Sequence, residues 1–218
     1  IRMLIERQVD LSLDWLLNAA IKEFPAPASS GKHGEGGVET KHFLLRDTAI
    51  TLSDFIYERL AGSLREQGYS ALEVDAVLGL APQRLGEVPK RLAAVRAFAA
   101  LPEAANLAAA NKRVGNILKK VSPGETAQVD ASLLREPAEV ALNAALADVK
   151  PKADAAFERG DYAASLRSLA ALKSPVDDFF DHVMVNVEDA ALRANRLGLL
   201  ANLHATMNRV ADLSKLSA

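Results

Sequence analysis

From Leu45 onward, apolar residues return at intervals of three and four, and that period governs what the chain can fold into. Leu52, Phe55, Ile56, Leu60 and Leu64 form one such stripe; Leu85, Val88, Leu92, Val95 and Ala99 form another; Leu192, Leu199, Leu203, Met207 and Val210 form a third. At about 100° per residue, each set falls on one side of a helix and gives it a face to bury. No segment keeps strand-like alternation for more than a few residues. The β-branched run Val183–Val187 is too isolated to make a sheet. The expected fold is therefore all-α, a multi-helix bundle. A chain of 218 residues, half of them hydrophobic, can bury a sizeable core as one large or two small domains.

Punctuation divides the helices. Asp10 or Ser12 is an expected N-cap between two short helices in residues 1–23. Pro25 to Thr40 is rich in Pro, Gly and Ser and has almost no apolar content, so residues 25–44 read as a flexible linker. Ser70-Ala71-Leu72-Glu73 reads as a capping box. Pro137–Val149 reads as one helix, and Lys152–Arg159 and Tyr162–Leu172 as a helical pair around a Gly160-Asp161 turn. The expected division is a helical tail at 1–24, a linker at 25–44 and a helical C-terminal region at 45–218. The chain opens at Ile1 inside an apolar-periodic segment, which makes a piece of a longer polypeptide the expectation.

The segment Leu101–Lys120, LPEAANLAAANKRVGNILKK, has two unlike faces. Pro102 suits a first helical position. Leu107, Ala110, Val114, Ile117, Leu118 and Val121 form the apolar stripe. Lys112, Arg113, Asn116, Lys119 and Lys120 gather in an arc of roughly 120° on the other side. No acid interrupts the run between Glu103 and Glu125. Such a face suits a polyanion, although most cationic helix faces are merely solvated. With 26 Lys and Arg against 28 Asp and Glu, the chain as a whole attracts no polyanion, so any contact must be local.

Other chemistries find little support. Cysteine is absent, which removes disulfides and thiol nucleophiles. His33, His42, His182 and His204 stand at no metal-binding spacing, so no metal site is expected. Asp177, Asp178 and Asp181 suit the positive end of a helix better than acid–base work. Gly34-Glu35-Gly36-Gly37 has neither a preceding strand nor a following Gly-Lys-Ser/Thr. No catalytic residue is expected, and no apolar run approaches a membrane span.

Four separated strings resemble one family. They are the cationic helix, FIYERLAGSLREQGYSALEVDAVLGL from Phe55 to Leu80, FFDHVMVNVEDAALRANRLGLL from Phe179 to Leu200, and RVADLSKL from Arg209 to Leu216. Together they resemble, in order and spacing, the C-terminal region of the β subunit of bacterial heterotetrameric glycyl-tRNA synthetases. Asp189-Ala190-Ala191-Leu192-Arg193 is similar to the signature of the DALR anticodon-binding domain, with one residue inserted.

The resemblance implies a DALR-type bundle preceded by the tail of an HD-type helical domain, in roughly the C-terminal third of a cytoplasmic β subunit. It implies tRNA(Gly) and the α subunit of an α₂β₂ assembly as partners. ATP and Mg²⁺ would serve the whole enzyme at the α subunit, with no cofactor in this piece. Lys112, Arg113, Lys119 and Lys120 would bind phosphates, and Asn111 and Asn116 would contact base edges. Arg193 and Arg196, three apart, would extend the phosphate surface, unless Arg193 pairs instead with Asp189 four residues earlier. Aromatic residues are sparse, with Phe98 and Tyr69 the expected exposed ones. A rival reading is a protein-binding adaptor, because Ala155–Leu172 has the helix–Gly-Asp-Tyr–helix look of a tetratricopeptide unit; no 34-residue repetition accompanies it.

Overall fold

The computed structural model describes residues 2–7, 9–23, 37–122, 124–126 and 128–217. Among these the regular structure is helical, with no strand. The chain divides into two compact units, one made of Ile1–Ser70 with Ala81–Pro89 and the other of Ala71–Leu80 with Lys90–Ala218.

The first unit holds α1 (Arg2–Glu6), α2 (Leu13–Glu23) and α3 (Gly37–Glu66). The break between α1 and α2 falls where Asp10 and Ser12 predict it, and Ser12 Oγ accepts from the Trp15 N–H at 3.5 Å. Leu13 and Leu17 of α2 are buried, as are Leu60 and Leu64 of α3. The linker expectation needs correction: residues 37–44 begin α3, and the remainder of that segment lies outside the described residues. Val38 to Leu44 contains no Pro or Gly, so nothing in it stops the helix from extending upstream of its apolar stripe. Nor does the expected boundary at 44/45 separate the units, because α3 runs through it.

The second unit contains α4 (Ala71–Leu78), most of α5 (Val88–Ala99), α6 (Ala104–Leu118), α7 (Pro137–Glu158), α8 (Tyr162–Ser168), α9 (Lys173–His182) and α10 (Ala190–Met207). A short 3₁₀ turn, Leu213–Leu216, closes the chain against α4 and α6. Its core joins Leu92, Val95 and Phe98 of α5 to Leu107 and Val114 of α6, Leu142 and Val149 of α7, Phe179 of α9, and Leu199, Leu203 and Met207 of α10.

Two boundaries differ from expectation. First, α7 is one helix and not two, and it carries Pro151 in its interior. A proline there removes one backbone hydrogen bond. The buried series Leu142, Leu146, Val149, Ala153 and Ala156 nevertheless continues across it, so packing on α8, α9 and α10 holds both halves in line. Second, α6 starts at Ala104, two residues after Pro102, a shift ordinary for helix ends.

The Gly160-Asp161 turn forms as the sequence predicts. Gly160 has φ +73°, and the Gly160 and Asp161 N–H groups donate to Phe157 and Ala156 carbonyls at 2.8 and 2.9 Å. That is a Schellman closure, which needs a residue tolerant of the left-handed region. Asp161 then caps α8 through the Ala164 N–H at 3.0 Å. No helix among the described residues is long and apolar enough to cross a membrane.

Candidate nucleic-acid interface

The buried side of α6 packs on α9, α10 and the closing 3₁₀ turn, so its other side faces outward. There it forms one wall of an open cleft of about 1170 Å³. The opposite wall is the end of α9 and the stretch 183–186, with Arg193 and Leu197 of α10 behind it. Lys112, Arg113, Asn116 and Lys120 line the α6 wall. Two carboxylates, Glu125 and Asp181, also reach the cleft, so four cations with Arg193 outnumber them. Several other cations of this unit are paired: Arg96 with Glu73, Arg135 with Asp189, Lys150 with Asp154 and Lys173 with Asp177. No described residue forms a salt bridge with Lys112, Arg113 or Lys120, which leaves their charge available to a ligand.

The cleft also holds an aromatic residue. Phe180 lies with its ring 4.1 Å from the Arg113 guanidinium carbon, a cation–π distance. The ring meets buried Phe179 in a T-shaped pair, 5.6 Å between centroids and 83° between planes. The sequence points to Phe98 and Tyr69 instead, and Phe98 proves to be core at 2% exposure. The adjacent pair Phe179-Phe180 was the available signal: neighbours on a helix differ by about 100° in direction, so both cannot face the core squarely.

Of four expected contacts, three lie off the cleft and Arg193 stays on it. Asn111 is 0% exposed. Its Nδ2 donates to Asn208 Oδ1 at 2.7 Å, and Asn208 Nδ2 donates back to Asn111 Oδ1 at 3.1 Å. That closed amide pair joins α6 to the end of α10, so Asn111 reads no base. The spacing carried the hint, since Asn111 stands four after Leu107 and three before Val114, on the apolar face. Asn111→Ala is therefore expected to cost about 1–3 kcal/mol of stability, the loss of two side-chain hydrogen bonds, with half-buried Asn208 left to the His204 carbonyl and the Leu213 N–H. The salt dependence of any RNA binding should stay as in the wild type. Urea denaturation beside a binding titration checks both, and a changed salt slope with unchanged stability would return Asn111 to the interface.

Arg196, the second, is 4% exposed and also belongs to the interior. Its Nε and Nη2 donate to Glu139 Oε1 and Oε2 at 2.7 and 3.3 Å, and its Nη1 to the Met184 carbonyl at 2.7 Å. It binds no phosphate; it ties α7 and the cleft wall to α10. The cause is again spacing, four after Leu192 and three before Leu199. Arg193, the third, does line the cleft, but the alternative pairing with Asp189 does not form. Asp189 instead caps α10 through the Ala191 and Leu192 N–H groups, both at 3.1 Å, and meets Arg135 at 3.3 Å. Arg193 Nη1 donates to the Val187 carbonyl at 3.4 Å. Lys119, the fourth, is exposed but does not line the cleft. It lies toward His204, where burial first and the Lys119 charge second hold the imidazole below its ordinary value, against the pull of Asp212.

A family model described as the DALR anticodon binding domain matches residues 107–218. The chain belongs to the DALR anticodon-binding domain family. The match begins within α6 and runs through the Asp189–Arg193 signature to the closing turn. Over 218 residues the chain is 61% identical to the glycine--tRNA ligase beta subunit of Janthinobacterium sp. (strain Marseille), covering all of this chain and 29% of that protein. It is 62% identical to the beta subunits of the same name from Leptothrix cholodnii and Dechloromonas aromatica, covering 28% of each. The chain thus spans less than a third of the length of the curated relatives it matches. Within the DALR domain, Asp189 of the signature serves as the cap of α10, its carboxyl held below its ordinary value chiefly by the Leu192 N–H. Arg193 of the signature sits on the cleft.

Proposed function

We propose that this chain is the anticodon-arm-binding end of a glycine–tRNA ligase β subunit. The observation that carries the reading is the cleft where Lys112, Arg113 and Lys120, with no salt bridge among the described residues, stand beside Asn116, Arg193 and the Phe180 ring. Phosphates meet the cations, and unstacked bases need an aromatic or guanidinium plane and amide edges. This combination supplies both. The whole enzyme joins glycine to tRNA(Gly) with ATP and Mg²⁺ in the cytoplasm. In this reading the adenylate chemistry belongs to the α subunit of an α₂β₂ assembly, and the present chain contributes recognition, not catalysis. A tetratricopeptide-like adaptor is disfavoured, because Ala155–Leu172 lies within the DALR match and no second such unit accompanies it.

Salt titrations of tRNA binding test the reading. Lys112→Ala, Arg113→Ala and Lys120→Ala should each weaken binding and lower the log–log salt slope by about 0.7–0.9, the release of one counterion. Lys119→Ala, outside the cleft, should change both much less. Asn116→Ala should reduce discrimination between anticodons by about 1–3 kcal/mol with little change in slope. Wild-type affinity and slope in all three cleft variants would move the RNA surface elsewhere.

A further inference from the structure

The Phe180 ring is held like a platform. Phe179, 0% exposed, braces it in a T-shaped pair, and Phe180 itself is only half-buried and opens on the cleft. The Arg113 guanidinium covers one ring face at 4.1 Å. No described carboxylate tethers that guanidinium, so rotation of a long side chain uncovers the face. Asn116 and Asn186 stand on opposite walls of the same cleft, each with an amide that can both donate and accept. A flat ligand with polar edges complements these groups.

Resting on the proposed function, we infer that one unpaired nucleobase of the anticodon loop stacks on Phe180 and is covered on its outer side by Arg113. The ring supplies the stacking surface, the guanidinium closes the sandwich, and the Asn116 and Asn186 amides face the base edges. Stacking accepts any base, whereas the amides discriminate. Phe180 is in this sense a binding residue and Arg113 a lid over it. As a lid Arg113 still brings its charge to the RNA, so its removal lowers the salt slope as removal of Lys112 or Lys120 does.

The test is a cycle between protein and RNA, using the 218-residue chain and a glycine tRNA transcript, alongside transcripts lacking one anticodon-loop base at a time. Phe180→Leu should weaken the intact transcript by roughly 5- to 150-fold, the range for a lost stacking contact. At one loop position the abasic transcript should bind the wild type equally weakly, and Phe180→Leu should cost nothing further there. Phe180→Tyr, which keeps the ring, should bind as the wild type does. A Phe180→Leu penalty equal on every abasic transcript, or absent on the intact one, overturns the stacking site. A measurement without any variant guards against misfolding: 2-aminopurine at that loop position should lose fluorescence on binding, and unquenched emission at every position also overturns it. Lys112→Ala and Lys120→Ala distinguish this failure from failure of the function itself. They should weaken all transcripts alike, and if they leave the intact transcript untouched, the broader reading falls too.

Discussion

Arg196→Met is expected to destabilise the second unit by about 3–5 kcal/mol at neutral pH, the usual result of removing one partner from a buried ion pair. Glu139 is 0% exposed and would be left charged in the interior. Two backbone N–H groups, of Arg135 and Glu136, would still reach its Oε2 at 3.0 and 2.8 Å, but the guanidinium would be gone. In the wild type, burial alone would raise the Glu139 carboxyl; the Arg196 hydrogen bonds and then the two N–H groups outweigh it, and the value falls below the ordinary 4.5. A depressed carboxyl contributes stability that is present above the unfolded value and lost as pH falls through the folded one. The deficit of Arg196→Met should therefore be largest at neutral pH and shrink as pH falls below the ordinary 4.5 toward the depressed wild-type value, since protonating Glu139 removes the charge that Arg196 neutralises. The double change Glu139→Met with Arg196→Met should recover much of the deficit, because no orphaned charge remains. Guanidinium denaturation at neutral and acid pH reads all three. A deficit that is independent of pH, or a double variant no better than the single one, would show that the pair is not what holds this junction.

Phe179→Ala should have a comparable effect, about 3–5 kcal/mol, for a different reason. Its ring is fully enclosed in the core and braces Phe180 edge to face. Truncation leaves a cavity that the helices α6, α7 and α9 around it can only partly collapse. Because the neighbouring ring loses its brace, RNA affinity should fall as well, even though Phe179 touches no ligand. Phe180→Leu should show the opposite profile, a large loss in binding with a small loss in stability. Denaturant midpoints and tRNA titrations on the two variants separate them. A Phe179→Ala variant within about 1 kcal/mol of the wild type would mean that α9 is not packed as described.

The sequence by itself determined the class of fold and the turn at Gly160-Asp161. A three-and-four period over several segments leaves helices as the only element that can bury those residues. The Gly160-Asp161 turn was legible because its chemistry is local: the backbone needs a left-handed residue followed by a cap, and the two residues supply both. The outward cationic face of α6 was legible for the same reason, since 100° per residue fixes which side chains lie together on one helix.

Only the tertiary structure decided what lies opposite each face. Asn111 and Arg196 are polar, and polarity pointed them toward the ligand, yet both stand at apolar spacing and meet partners 97 and 57 residues away. Periodicity gives the direction of a side chain but not the identity of its neighbour, and a buried polar group is satisfied by that neighbour. Pro151 marks a helix end by local rule, yet packing along both halves of α7 overrides it. The Arg113–Phe180 pairing joins residues 67 apart in the sequence, on helices whose contact no local pattern encodes. The ingredients of the cleft are written in the chain, but their assembly into one site depends on non-local packing.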